Sequence, residues 1–415
     1  MKHQINNLHI NSTRLNDLLC QFAKFGKTAG GGVTRLAASD EDKLARDLLV
    51  KIVTQAECKV TIDAIGNIFI RRQTSLSNLD PVMIGSHGDS QPQGGRFDGI
   101  YGVLAGLEVI LSLNDHNIST KRPIELVMWT NEEGSRFTPS MLGSSVFAGL
   151  LPLHDALNKA DANGIKLGDE LKRIGYAGLN HITHYPIYAA IELHIEQGPV
   201  LEQENKLIGV VTGAMGQKWY QVTLEGLAGH AGTVPLDLRR DATLGVAKAI
   251  IAINQIGKKY DPNARATVGR IDVEPNSSNV IAGKVTFSVE FRHPCSDALD
   301  GMEQDLKQAL SKIADENSLV LTLTKTVDFA PLNFDARLIQ VIKDVATKLN
   351  YTQQEIVSGA GHDSCPLNKI APTAMIFIPC IAGISHNEQE DITDKWSEAG
   401  GNMLLHTVLQ LANET

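Results

Sequence analysis

Val82-Met83-Ile84-Gly85-Ser86-His87-Gly88-Asp89-Ser90 begins as a short apolar run and ends on an imidazole and a carboxylate. Preceded by Pro81, this run has the length and composition of a strand buried on both faces, the kind found in the parallel sheet of an α/β domain. The flanking sequence supports that reading. Upstream, Ser39-Asp40-Glu41-Asp42 has the form of a capping box and predicts a helix running through Leu44, Leu48, Leu49 and Ile52. An apolar stretch follows from Val60 to Ile70. Downstream, Gly99 to Leu113 reads as a helix, and Ile124 to Trp129 and Ile187 to Leu193 as further strands. The alternation predicts an α/β fold with a mostly parallel central sheet.

The middle of the chain has a different texture. From about Ile208 to Val327, β-branched alternating segments (Tyr220 to Leu224, Val285 to Phe291, Leu319 to Thr326) surround two helical patterns, near Asp241 to Ile256 and Leu299 to Glu316. These features predict an α+β sandwich with its own sheet. Beyond it, Arg337 to Leu349 is helical and Thr373 to Ile378 reads as another buried strand. The expected organisation is two domains: an α/β domain over residues 1–212 and 329–415, interrupted by an inserted sandwich at 213–328.

At 415 residues, with 43% hydrophobic and 20% charged residues, the chain has the composition of a globular enzyme with a large core. A formal net charge of −9 argues against nucleic acid or an anionic membrane as partner. No apolar run is long enough to span a bilayer core of about 30 Å, and Met1 to Asn7 lacks the apolar centre of a signal peptide. Five cysteines without a C-x-x-C pair make a disulfide framework or a thiolate zinc knuckle improbable. The expected compartment is the cytoplasm.

Several of the predicted strands lead into residues that bind metals. The first reaches His87 and Asp89, Ile124 to Trp129 leads to Glu132 and Glu133, Ile187 to Leu193 leads to His194, and Met375 to Ile384 leads to Ser385-His386. Ligands of open α/β sheets bind beyond the carboxyl ends of the strands, so these endings can share one crevice. Asp98 lies in the glycine-rich loop Gly94-Gly95-Arg96-Phe97-Asp98-Gly99. Three imidazoles and two carboxylates suit a pair of borderline divalent ions such as Zn²⁺. Two ions about 3.5–4 Å apart can share a carboxylate and a water, and that water loses a proton near neutral pH. One glutamate of the Glu132-Glu133 pair would then bind metal while the other accepts the proton. Each residue also has a plain structural reading. Histidines after strands are commonly structural, adjacent glutamates are usually a solvated surface, and Asp98 could cap the following helix.

The segments Gly85-Ser86-His87-Gly88-Asp89-Ser90, Gly95-Arg96-Phe97-Asp98-Gly99, Asn131-Glu132-Glu133-Gly134-Ser135-Arg136-Phe137 and Glu192-Leu193-His194-Ile195-Glu196-Gln197-Gly198-Pro199 together resemble the hydantoinase/carbamoylase family. Gly229-His230-Ala231-Gly232, Phe291-Arg292-His293-Pro294 and Gly361-His362-Asp363-Ser364 extend the resemblance, which runs in order from about residue 12 to the C-terminus. This family holds N-carbamoyl-L-amino acid hydrolases, metal-dependent β-ureidopropionases and allantoate amidohydrolases, within a superfamily of dinuclear-zinc aminoacylases and carboxypeptidases.

The resemblance implies a role for each matching position. His87 and His194 would hold one metal ion, Glu133 and His386 a second, and Asp98 would bridge them. Zn²⁺ is the first expectation, with Mn²⁺, Co²⁺ or Ni²⁺ as alternatives. Histidine at position 194, where the related peptidases generally carry an acid, matches the carbamoylases. Glu132 would be the general base, and Asp89 would orient His87. In the inserted lid, His230 would stabilise the oxyanion, Arg292 would pair with the substrate carboxylate, and Asn279 would add a hydrogen bond. Gln197 would help orient the substrate. His362 would support the site without binding metal. The lid would also form a homodimer contact. Two departures stand out: Gly88 replaces a common aliphatic residue, and Gln91-Pro92-Gln93 is closer to the β-ureidopropionase version of the loop. N-carbamoyl-β-alanine is therefore the first expected substrate, ahead of N-carbamoyl-L-α-amino acids and allantoate, with a peptidase or a catalytically silent scaffold behind them.

Overall fold

In the computed structural model, which describes residues 8–74 and 78–414, helices α1 (Ser12–Phe22) and α2 (Asp40–Gln55) lead into the strands β1 (Lys59–Ile62), β2 (Ile68–Arg72) and β3 (Val82–His87). Helix α3 (Ile100–Asp115), β4 (Ile124–Trp129), β5 (Ala189–Ile195) and β6 (Ile208–Ala214) follow. Packing divides the chain into two units. One comprises residues up to Thr212 together with Phe334–Thr415, and the other comprises Gly213–Asn333.

The first unit is built on a mixed sheet in which the Thr373–Ile378 strand lies between β5 and β6, giving the order β1-β2-β4-β3-β5, then Thr373–Ile378, then β6. Its centre is parallel: β4 pairs with β3, β3 with β5, and β5 with Thr373–Ile378. The flanks are antiparallel. Residues Val82–His87, Ile124–Trp129 and Ala189–Ile195 are buried throughout. That explains why they read as mostly apolar runs without a polar face, Glu125, Glu192 and His194 being buried as well. The stretch from Val60 to Ile70 is a hairpin whose turn is closed by Asp63, which accepts bonds from the backbone N–H groups of Ile65 and Asn67 at 3.1 and 2.8 Å.

Helix α2 starts where its cap predicts: Ser39 Oγ accepts from the Asp42 N–H at 3.2 Å. The second half of the capping box is different. Asp42 accepts from Ala38 N–H and from Arg46 Nε, both at 2.8 Å. Burial of this ion pair one helical turn apart rotates the helix, so Ala45, Leu49 and Val53 face the core. Leu44, expected inside, is 51% exposed. A charged pair inside a helix is invisible to an apolar-stripe reading.

The second unit is an antiparallel sheet in the order Ile271–Glu274, Lys284–His293, Gly216–Glu225, Val320–Phe329. Burial alternates along Lys284–His293, with Val285, Phe287, Val289 and Phe291 inside. Helices Ala242–Lys259 and Ser296–Glu316 supply the other side of that core through residues such as Val246, Ile253, Leu306 and Leu310. The first of these helices is capped by Asp241, which accepts from Thr243 and Leu244 N–H. No helix among the described residues is long and apolar enough to cross a membrane.

Candidate metal centre

The parallel centre of the sheet explains why histidines far apart in sequence come together. His87 is the last residue of β3, and His194 lies one residue before the end of the neighbouring β5. Glu132 and Glu133 follow β4 by a few residues, while His386 lies beyond the Thr373–Ile378 strand and a 3₁₀ turn at Ile381–Gly383. All leave the sheet at the carboxyl ends of parallel strands. Asp98 enters from the loop before α3, and the backbone there must be glycine at position 99. Gly99 has φ +66°, and a Cβ at this position would collide with the His87 imidazole.

Asp98 lies at the middle of the group. Its Oδ1 is 3.1 Å from His194 Nε2 and 3.8 Å from His87 Nε2, and its Oδ2 is 3.2 Å from His386 Nε2. His386 Nε2 is also 3.5 Å from Glu133 Oε2. Two ligand-like sets therefore share Asp98: His87, Asp98 and His194, and Asp98, Glu133 and His386.

The hydrogen bonds around the rings decide whether this set suits a cation. His87 Nδ1 lies 2.9 Å from the Asp89 carbonyl oxygen, and His194 Nδ1 lies 2.9 Å from that of Ile195. A carbonyl only accepts, so each ring carries a proton on Nδ1. At His87 this leaves the Nε2 lone pair facing Asp98. At His194 burial is outweighed by the bond to Asp98, which raises the ring to about 9 and keeps a second proton on Nε2 that a bound cation would displace. Imidazole lone pairs and carboxylates aimed at one point are an unfavourable arrangement for neutral packing and a suitable one for divalent ions. Gln197 Oε1 adds a buried acceptor with no hydrogen-bond partner among the described residues.

Electrostatics agrees. Burial, followed by the charges of Asp363, Glu133, Asp89 and Asp98, holds the Glu132 carboxyl well above the usual carboxylate range. Burial, reinforced by Asp98, pushes Glu133 up to about 8. Burial lowers His87 to about 4, so its lone pair stays available. At Asp98, bonds and charges from the histidines outweigh burial and keep it well below its usual value. Concentrated negative charge of this kind is relieved by a bound cation.

Some expected contacts differ. The Asp89 carboxylate lies 3.8 Å from His87 Nδ1, too far to hold the ring; its backbone carbonyl does that instead. The carboxylate instead accepts from Glu132 and Glu133 N–H, both at 3.2 Å, and so anchors the turn that presents both glutamates. Gln197 Nε2 donates to Asp98 Oδ2 at 2.9 Å. His362 is buried beside the His194 ring, with Nε2 2.8 Å from Ser358 Oγ. The nearby Glu192 already accepts from Ser86 Oγ, Ser364 Oγ and Ser364 N–H.

Three supports escaped sequence reasoning. Gln91 donates to Glu133 through Nε2 at 2.8 Å and through its backbone at 3.1 Å. The buried Arg35 guanidinium binds the carbonyls of Gly88 and Phe22 at 2.5 and 2.9 Å. Glu390, 1% exposed, accepts from Phe97 and Asp98 N–H.

In the second unit, Gly229–His230 pairs with Val280–Ile281, and Ala231 N–H bonds the Asn279 carbonyl at 3.0 Å, so His230 and Asn279 are neighbours. His230 is exposed, with Nδ1 accepting from Gly232 N–H at 3.0 Å. Arg292 lies on the Lys284–His293 strand and is paired with Glu290.

Residues 83–410 match the model of peptidase family M20/M25/M40. The chain is 42% identical over 406 residues, 98% of each protein, to an N-carbamoyl-L-amino-acid amidohydrolase of Rhizobium meliloti. It is 32% identical over 400 residues to an allantoate amidohydrolase of Bacillus subtilis, covering 96% of this chain and 97% of that one. The crystal structure of an amidase of the hydantoinase/carbamoylase family from Burkholderia multivorans shares its fold, with a TM-score of 0.94 and 50% identity, covering 98% of this chain and 99% of that one. With such similarity along nearly its whole length, the chain belongs to the metal-dependent peptidase family M20/M25/M40, in its hydantoinase/carbamoylase branch, and is a hydrolase of amide C–N bonds.

Proposed function

We propose that this enzyme hydrolyses the carbamoyl C–N bond of N-carbamoyl-L-α-amino acids, releasing the amino acid, ammonia and carbon dioxide. The observation that carries the reading is the sharing of Asp98 between the His87/His194 and Glu133/His386 sets, with Glu132 Oε2 3.5 Å from His87 Nε2. The name of the Rhizobium meliloti relative supplies the substrate class.

His87, His194 and Asp98 would hold one divalent ion, and Asp98, Glu133 and His386 the other, with Zn²⁺ fitting the mixed imidazole and carboxylate donors best. Such ions, when bound, supply positive charge that polarises a carbonyl and acidifies water. Glu132 is the proposed base. Burial and the neighbouring carboxylates raise its affinity for a proton. In the ionised form, which bound cations would favour, it would take a proton from water and later give it to the departing nitrogen. Asp89 keeps Glu132 and Glu133 in register through their backbone N–H groups. His230 is assigned the developing oxyanion, Arg292 the substrate carboxylate, and Asn279 and Gln197 further hydrogen bonds. Arg292 would exchange or share its present partner, Glu290, when a substrate carboxylate arrives. Assembly as a homodimer through the Gly213–Asn333 unit and a cytoplasmic location belong to the same reading.

N-carbamoyl-β-alanine is the second reading. It rests on the Gln91-Pro92-Gln93 loop, whose first residue holds Glu133. The two substrates differ by one methylene, worth about 1–3 kcal/mol of discrimination. The test is ammonia release by metal-reconstituted protein offered N-carbamoyl-L-α-amino acids, N-carbamoyl-β-alanine, allantoate and a dipeptide. Preference for an α-compound supports the proposal, and preference for the β-compound or allantoate replaces its substrate. Cleavage of the dipeptide alone would remove the carbamoyl assignment, and inertness towards all four would favour a silent scaffold.

A further inference from the structure

His87 and His194 are fixed by the sheet, but Asp98 and His386 lie on loops that no strand pairing joins among the described residues. Another part of the chain reaches both loops. Residues 28–35 run antiparallel to residues 88–94, the stretch that connects His87 to the Asp98 loop. Arg35 donates its N–H to Ser90 Oγ and accepts from Ser90 N–H, both at 2.9 Å, and its guanidinium binds the Gly88 carbonyl at 2.5 Å. Thr34 Oγ1 accepts from Gln93 N–H at 2.8 Å. Val33 and Gly94 exchange both backbone bonds, at 3.0 and 2.9 Å.

Gly32, next in line, meets the second loop as well. A Cβ on Gly32 would lie 2.3 Å from the Gly94 carbonyl oxygen and 2.7 Å from the Glu388 Cα. Glu388 stands two residues after His386, and the Thr28 hydroxyl is bonded to its carboxylate. The obstacles to a side chain at position 32 are backbone atoms, which cannot rotate aside. Carbon and carbonyl oxygen pack no closer than about 3.3 Å, so an added methyl must part the backbones by about 1 Å. The groups of a working site are held within about 0.5 Å. The bare backbone of Gly32 is thus a spacer whose thickness matters to Asp98 and His386.

We propose that residues 28–35, which precede the span 83–410 matching the family model, form a positioning brace for the metal centre, with Gly32 setting how closely the Asp98 and His386 loops approach. This rests on the metal-centre reading above. The two ions should depend on the brace unequally. The ion at His87, Asp98 and His194 keeps two ligands anchored in the sheet. The ion at Asp98, Glu133 and His386 has no ligand within a strand, so a shift of the loops falls mostly on it.

The experiment is calorimetric titration of the metal-free protein with Zn²⁺, with metal content per chain measured after dialysis. Glu133→Ala, which lacks a ligand of the second ion alone, identifies the step that belongs to that ion. Gly32→Ala should weaken the second ion about 10–100-fold, the usual scale for groups that support metal ligands, and the first clearly less. General damage to the fold predicts equal weakening of both. Parental affinity for both ions in Gly32→Ala, or a loss at the first as large as at the second, overturns the proposal. Coupling between brace and ions works in both directions, so in the parent Zn²⁺ should slow hydrogen exchange at the Thr28 and Val33 amides about 5-fold or more. Exchange unchanged by Zn²⁺ overturns the proposal even if Gly32→Ala fails to fold. A parent that binds fewer than two divalent ions per chain removes the dinuclear reading, and this inference with it. A parent that binds two, with a variant that matches it, removes the inference alone.

Discussion

Replacing Glu132 by Gln changes one oxygen to an amide nitrogen and nothing in shape. The backbone N–H of residue 132 keeps its bond to Asp89 Oδ1 at 3.2 Å, so the turn that also presents Glu133 should be unaltered. What disappears is the only proton-accepting function at this position. Positioned acid–base groups contribute about 10²–10⁴-fold to rate, so kcat should fall by that factor, equivalent to roughly 3–5 kcal/mol in the barrier. KM should change little, because the proposal gives Glu132 no part in holding the substrate's ground state. Stability should move the other way. Glu132 is buried among Asp363, Glu133, Asp89 and Asp98, whose charges oppose its own, so the uncharged amide should leave the metal-free protein at least as stable above neutral pH. Initial rates of ammonia release, metal content and thermal melting on the same preparation make the comparison. A variant that keeps near-parental kcat refutes the base assignment. One that loses activity and metal in parallel refutes the separation of Glu132 from the ligand set.

Arg292→Ala should lower kcat/KM by about 10–100-fold, the cost of a charge-assisted hydrogen bond of roughly 1.5–3 kcal/mol, and Arg292→Lys should recover little because a point charge cannot reproduce a two-pronged contact. Steady-state kinetics with a carbamoyl amino acid and its carboxamide decides this, since the carboxamide should be nearly indifferent to the change. Within the second unit, burial alone would raise Glu303, but hydrogen bonds from Lys218, Lys307 and Lys325 hold it well below its usual value. Its folded value is depressed, so its contribution to stability is present above the ordinary glutamate value of about 4.3 and is lost as pH falls below it. Urea midpoints between about pH 6 and pH 3 should decline, and Glu303→Gln should flatten that slope. Phe287→Ala, at a fully buried position in the same core, should cost about 3–5 kcal/mol by denaturant unfolding.

Much of the first unit was legible because its central strands are buried on both faces, which leaves apolar runs such as Val82–Ile84 and Leu126–Trp129 in the sequence. The ligand-like residues were legible because they sit where those runs end. Contacts that depend on loops meeting across long separations were not legible. Gln91 reaches Glu133, Arg35 reaches Gly88, and Glu390 reaches Phe97, and none follows a period or spacing. Helix α2 shows a different limit. Its cap is visible as Ser39, yet its orientation is set by the buried Asp42–Arg46 pair, which a hydrophobic pattern assigns to the solvent side. The Asp89 carboxylate was expected to orient His87, but nearness in sequence suggested a bond that the backbone carbonyl makes instead, and the carboxylate accepts from Glu132 and Glu133 N–H.

The placement of Thr373–Ile378 between β5 and β6 has a consequence for how the protein is made. His194 is synthesised about 190 residues before His386. At ribosomal speeds of about 5–20 residues per second, roughly 10–40 s pass between them. During that interval β5 has no neighbour on one side, and an unpaired central strand is a template for association with other chains. The Gly213–Asn333 unit, continuous in sequence, can complete its own sheet within the interval, whereas the group of His87, Asp98, Glu133, His194 and His386 comes together only when the final stretch arrives. A chain truncated before Thr373 would therefore carry an open seam through the middle of its largest sheet, and it should be found in aggregates or bound to chaperones rather than as a partly active enzyme.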